Sequence, residues 1–178
     1  MANKHLIQIG TKSLIFGIHQ VFWHPYTVYR AWKELYGPPS WKELICIIIH
    51  DWGYWGLPDL DGQEGSLHPF FGAGLALKYL GMDYYDLCLG HSRHLAQMMN
   101  RKPSRLCYAD KLSFKYDPRW FYLLRSWLSG ELQELRYRSA MNGFVSFDKT
   151  HREWYTWAYD MMVTLGKKQD ATTKPYFK

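Results

Sequence analysis

Five of the chain's eight histidines, His24, His50, His68, His91 and His94, fall in one stretch of the sequence, with Asp51 directly after His50 and Asp110 further on. Hydrolytic metal centres are built from neutral imidazoles and carboxylates that converge on one point and leave a coordination position open for water. A sulfur-free His/Asp set suits iron, manganese, zinc, cobalt or nickel and argues against a structural zinc. His50-Asp51 is the centre of the pattern. Adjacent helical residues point about 100° apart, so two neighbours grip one ion only at a helix end that faces a cavity, and Gly53 marks such an end. Alone, the dipeptide fits better a histidine capping a buried helix with Asp51 as its partner; the order and context of the other residues point to a metal.

The elements that must position these residues read as helices punctuated by Gly and Pro, without sustained apolar/polar alternation or internal repeats, which predicts an all-α fold. After a weakly amphipathic start over 5–20, Pro25–Tyr36 carries Val28, Trp32 and Leu35 along one side and stops at Gly37-Pro38-Pro39. Ser40, with Glu43 three residues on, caps a helix over Trp41–Asp51, and the run Ile47-Ile48-Ile49 belongs to that buried helix rather than to a strand. Residues 52–66 hold four Gly and one Pro and form the main loop. A small-residue helix follows over His68–Leu80, where Gly72, Ala73, Gly74 and Ala76 allow close helix approach. Asp83–Asn100 and Ser104–Lys115 are two further helices split by Lys102-Pro103. Arg119–Tyr137 and Thr150–Leu165 are Trp- and Arg-rich flanking helices that pack on the core or form an oligomer contact, and the polar tail Lys167–Lys178 frays.

Length and composition bound the reading. At roughly 100–200 residues per domain, 178 residues make one domain. A composition 47% hydrophobic and 21% charged excludes disordered and fibrous classes. Nine Trp and fourteen Tyr build either the interior or a binding face from large flat side chains. The net charge of +6 favours anionic partners, and because the basic residues come as scattered pairs, a phosphorylated small molecule is preferred to nucleic acid. Cys46, Cys88 and Cys107 are odd in number, widely spaced and set beside apolar residues, so neither a disulfide framework nor a thiolate zinc site is indicated and a reducing cytoplasm fits. The longest apolar stretch, Leu44 to Ile49, falls far short of the roughly 20 residues that cross a bilayer, and residues 1–16 lack an unbroken apolar signal core. A soluble protein with no membrane partner is expected.

In sequence order, His24 (HPYTV), His50-Asp51 (IIIHDWG) and Asp110 (YADKL) resemble the HD superfamily of metal-dependent phosphohydrolases, whose pattern is an early His, a His-Asp pair, optional further His and a distant Asp. HPFFGAGLALKYLG from His68 and GHSRH with His91 are similar to the larger-site branch. The step from His91 to Asp110 resembles the HD-type symmetrical diadenosine tetraphosphate hydrolases more than the HD-GYP phosphodiesterases, since GHSRH is not the double-His-Glu box and no Gly-Tyr-Pro follows. The likeness covers residues 20–115, with 118–166 as flanking C-terminal helices. It implies an antiparallel helical bundle in which His24, His50, Asp51 and Asp110 hold one metal and Asp51 bridges to a second held by His68 and His91. With a single ion, His68 and His91 would serve as outer or phosphate contacts. One or two divalent ions are implied, iron or manganese first, then cobalt, nickel or zinc. The organism implied is a bacterium or a virus-infected cell.

Around that set, His94 lies three residues after His91 and would hydrogen-bond a ligand or reach substrate from the same helical face. Arg93, Arg101, Lys102, Arg105 and Lys111 are candidate phosphate neighbours, Lys111 foremost because it follows Asp110 as in the family's ADK pattern. Asp59, Asp61 and Glu64 read as a solvated turn, one of them an optional proton donor. Where many family members place Lys or Arg after His-Asp, this chain has Trp52, Tyr54 and Trp55, which suggests stacking of a nucleobase and a nucleotide substrate. The expected activity is hydrolysis of a phosphoester or phosphoanhydride by a metal-activated water. The alternatives are a mixed-valence di-iron oxygenase, which uses the same ligand order on this fold, and a binding or assembly protein without chemistry.

Overall fold

The computed structural model describes residues 7–168. Ten α-helices, and no strand, occur among the described residues: α1 Ile9–Phe16, α2 Trp23–Tyr36, α3 Trp41–Ile49, α4 Pro69–Tyr79, α5 Met82–Leu89, α6 Arg93–Met98, α7 Arg105–Ser113, α8 Arg119–Ser129, α9 Glu131–Met141 and α10 His151–Lys167. The all-α expectation therefore holds. No helix among them is long and apolar enough to cross a membrane. The expectation for the tail beyond Lys168 lies outside the described residues.

Local chemistry accounts for most boundaries. The capping box is present: Glu43 N donates to Ser40 Oγ at 3.3 Å and the Glu43 carboxylate accepts from Ser40 N at 2.7 Å, which satisfies two of the N–H groups a helix start leaves unpaired. Gly37, at φ 81°, ends α2 in a conformation that a side chain disfavours. The aliphatic run at 47–49 is helical, and Ile47 is fully buried with Val28, Trp32, Cys46, Ala73, Cys88, Leu106 and Leu112 in the core where α2, α3, α4, α5 and α7 meet. A second core of Tyr122, Leu132, Trp154, Tyr155 and Ala158 joins α8, α9 and α10.

Three boundaries depart from expectation, and two of them shape the site. The helix expected over Asp83–Asn100 breaks at Gly90-His91-Ser92, because the Ser92 side chain accepts from Leu95 N and starts a new helix there. His91 thus stands on a turn, and His94 does not share its helical face. α3 ends at Ile49, which leaves His50 at the cap and Asp51 beyond it. Gly53 is needed for another reason: a β-carbon there would lie 1.9 Å from the His68 carbonyl oxygen. The expected helix over Arg119–Tyr137 divides at Gly130, whose φ of 89° turns the chain between α8 and α9.

Gly72 brings α4 against the His50 end of α3; a β-carbon there would lie 2.6 Å from the Ile49 carbonyl oxygen and 3.1 Å from the His50 Cα. Both neighbours are backbone and have little room to yield. Gly72→Ala should therefore destabilise the protein by about 1–3 kcal/mol. Gly74→Ala, two residues along the same helix with nothing within 4 Å of its β-carbon, should be neutral or stabilising by up to about 1 kcal/mol. Urea denaturation of both variants measures the contrast, and equal stabilities would mean that α4 is not pressed on the site.

Candidate metal centre

The buried end of α3 meets residues from four other segments. Asp51 lies at the middle with one carboxylate oxygen on each side. Its Oδ2 is 3.1 Å from His24 Nε2 and 3.1 Å from His50 Nε2, and its Oδ1 is 3.3 Å from His91 Nε2 and 3.5 Å from His68 Nε2. Asp110 Oδ1 stands 3.2 Å from His24 Nε2 on the outer side. Two sets of donor atoms result, His24/His50/Asp51 and Asp51/His68/His91, each within 4.8 Å. Five of the six residues expected as ligands thus fall into two triads that share Asp51, and Asp110 closes on the first.

The backbone sets the histidine tautomers. His50 Nδ1 lies 2.8 Å from the Ile47 carbonyl, His68 Nδ1 2.7 Å from that of Gly65 and His91 Nδ1 2.6 Å from that of Cys88. A carbonyl only accepts, so each Nδ1 carries the proton and each Nε2 presents a lone pair inward. His68 Nε2 and His91 Nε2 then face each other at 2.9 Å with no proton of their own to share. Burial and mutual proximity hold His68 well below the ordinary histidine range, and burial lowers His91 despite the nearby Asp51. On the other side His24 Nε2, His50 Nε2 and Asp51 Oδ2 are buried without a hydrogen-bond partner, although close to one another. Buried polar atoms are almost always paired, and a divalent cation among these lone pairs satisfies all of them together. The donor set fits such an ion.

Charge in the centre is balanced around the two carboxylates. Burial alone would lower His24, but its contacts with Asp110 and Asp51 outweigh it and push the imidazole up to about 9. Burial would raise Asp51, yet the imidazoles of His50, His19 and His24 hold it well below the usual carboxylate range. Asp110 likewise stays low against burial, chiefly through Lys111, whose ammonium lies 2.9 Å from Oδ2. Lys111 in turn is held above its ordinary value by Asp110 in spite of burial.

The other candidates divide. Tyr54 is buried and stacks on the His68 ring at 3.9 Å and 18°, so its face is taken by a candidate ligand rather than offered to a base. Trp52 and Trp55 are exposed and line an apolar groove of about 850 Å³ with Phe22, Pro25, Tyr26 and Phe71. Arg105 pairs with Glu43 at 2.6 Å and covers the Trp32 and Tyr36 rings, so it braces α7 against α2 and α3. Arg101 pairs with Asp86 at 2.6 Å, and with Lys102 it lines a separate small cavity. His94 is exposed on the first turn of α6, and Arg93 is half-buried beside it, its charge reaching Cys107. Asp59 closes its own turn by accepting from Gly62 N at 2.8 Å and Gly65 N at 2.9 Å, and Glu64 is exposed.

Residues not anticipated as part of the site border it. The His19 ring lies 4.6 Å from that of Tyr54 and 5.5 Å from that of His24. The Glu134 carboxylate on α9 accepts from Leu60 N at 3.1 Å and Asp61 N at 3.1 Å and so ties down the main loop. Asp61 retains solvent access yet is desolvated enough, with Glu134 close by, to lie above the usual carboxylate range. α8 and α9 are thus more than a flank. The signal that could have found them, two acidic residues on the first turn of a helix after Gly130, is indistinguishable in sequence from ordinary helix-start chemistry.

No family model, curated protein or solved structure matches this chain.

The raised His24 gives the metal-free centre a measurable pH signature. The stability it contributes is complete below the ordinary histidine range and is lost as pH rises through about 9, while that from Asp51 and Asp110 is lost on acidification below the ordinary carboxylate range. A histidine ligates a metal only when its imidazole is neutral, so Mn²⁺ binding at pH 7.5 should release about one proton. Titration calorimetry in buffers of different ionisation enthalpy measures it, and His24→Ala should abolish the release. Proton-neutral binding by the unmodified chain would place His24 outside the ligand set.

Proposed function

We propose that this protein is a metal-dependent phosphohydrolase acting on a phosphoester or phosphoanhydride bond of a nucleotide. The observation that carries the reading is the placement of one carboxylate, Asp51, between two pairs of inward-facing imidazole nitrogens, all within 3.5 Å. A metal pair bound there would polarise a phosphoryl oxygen and bring the ionisation of a bound water towards neutral pH. This chain's own residues supply the rest. His24, His50, His68, His91, Asp51 and Asp110 hold the charge in place. Lys111, fixed by Asp110 at the edge of the centre, meets a substrate phosphate as a charge-assisted donor.

Support for a nucleotide comes from two features. The net charge of +6 favours a polyanion. The groove lined by Trp52 and Trp55 begins at the residue after Asp51 and includes Pro25, the residue after His24, so an aromatic base can lie beside two ligand-bearing segments. Stacking on an exposed indole is worth roughly 1–3 kcal/mol per base.

Manganese- or iron-loaded protein should release phosphate, pyrophosphate or a nucleoside monophosphate from at least one member of a broad nucleotide panel. His50→Ala and Asp51→Ala should each abolish that turnover while the far-ultraviolet circular dichroism stays helical. Trp55→Ala should raise KM by about tenfold with kcat little changed. A panel without turnover overturns the proposal, and substrate-dependent oxygen uptake by the iron form would reassign the centre to oxygenase chemistry.

A further inference from the structure

We infer that His19 is an additional catalytic residue of this centre, a hydrogen-bond acceptor that orients the attacking water, with Ser13 and Glu131 as its positioning residues. The inference rests on the phosphohydrolase reading and extends it to a histidine outside the metal ligands. Glu131, the first residue of α9, is completely buried and lies against the loop that joins α1 to α2. Its carboxylate accepts from Ser13 Oγ at 2.5 Å, from Ile18 N at 2.9 Å and from Ser129 Oγ. The single Ser13 hydroxyl proton is therefore committed to Glu131.

That commitment sets the tautomer of His19. Ser13 Oγ lies 2.8 Å from His19 Nδ1 and 3.3 Å from His19 N, and with its own proton engaged it can only accept from both. Nδ1 must carry the hydrogen. Nε2, on the opposite edge of the ring, then presents a lone pair, and the side chain keeps 18% of its surface exposed. The ring itself is held between Tyr54, which stacks on His68, and His24. With its ring centre 5.5 Å from that of the candidate ligand His24 and 4.6 Å from that of Tyr54, His19 borders the centre rather than a remote surface. A buried carboxylate, a serine and an imidazole in series, ending in an accessible acceptor at a cluster of metal donors, is more structure than closing a short loop requires. A water in the centre that donates one O–H to Nε2 would have its orientation fixed by that bond.

The test uses the full chain as wild type, His19→Ala, His19→Gln and Ser13→Ala. Bound Mn²⁺ is measured by elemental analysis, steady-state kinetics are run on whichever nucleotide of the panel wild type hydrolyses, and imidazole tautomers are read by long-range ¹H–¹⁵N spectroscopy on the diamagnetic Zn²⁺ form. His19→Ala should keep the wild-type metal content and lose about 100-fold in kcat with KM little changed. Glutamine carries an amide oxygen near the position of Nε2 and should recover part of that loss. Wild type should show the Nδ1–H tautomer at His19, and Ser13→Ala should release it. Near-normal kcat in His19→Ala, or an Nε2–H tautomer in wild type, overturns the inference and leaves the metal centre as argued. Loss of metal from His19→Ala also overturns it, since the residue would then act on the ligands. A wild type that turns over no nucleotide brings down the functional reading, and this inference with it, before any variant is compared.

Discussion

One carboxylate surrounded by four imidazole nitrogens is the constraint on which this structure depends. Asp51 lies within 3.5 Å of His24, His50, His68 and His91, all of them largely shielded from water. In a low-dielectric interior, such a set of lone pairs and negative charge is costly unless something positive completes it. Without a metal, a proton on His24 supplies part of that charge, which is why its imidazole is raised while His68 and His91 are lowered. The same geometry therefore explains both the unpaired buried atoms and the suitability for a divalent ion.

The backbone prepares those lone pairs in one recurring way. His50, His68 and His91 each stand where a helix or short helical turn is ending, and each turns Nδ1 back to the carbonyl three residues earlier. A carbonyl oxygen has two lone pairs, so those of Gly65 and Cys88 accept from the imidazole as well as from the same histidine's backbone amide, and the side chain held in this way faces the centre. Close approach then brings the His50 and His68 ends together. Gly53 passes the His68 carbonyl, and Gly72 passes the carbonyl of Ile49 and the backbone of His50, at separations where no β-carbon fits.

The C-terminal helices supply the outer wall. Glu131 and Glu134, both on the first turn of α9, reach back to the loop before α2 and to the main loop, and so determine where His19 and Asp61 lie. α10 docks on α7 through Gly166, whose missing side chain lets Leu112 lie against its backbone, and α7 carries Asp110 and Lys111. Residues 118–166 read in sequence as a flank because their side chains, aromatic and paired-charge, resemble those of any packed helix. Their placement depends on contacts far apart in sequence, from 73 residues for Glu134 to 118 for Glu131, and no local pattern encodes those.

The sequence by itself determined the helical class, the caps at Ser40 and Gly37, and the identity of the imidazoles and carboxylates able to share an ion. Those are matters of local hydrogen bonding, apolar spacing and side-chain chemistry, which neighbouring residues decide among themselves. Tertiary structure alone decided which basic residues remain near the centre: Lys111 stays beside Asp110, whereas Arg101 and Arg105 are drawn to Asp86 and Glu43. It also brought His91 to face Asp51, turned Tyr54 onto His68, and placed Glu131 behind His19. A long charged or aromatic side chain takes the best partner within its reach, and which partners lie within reach is a property of the packed chain, not of the order of its residues.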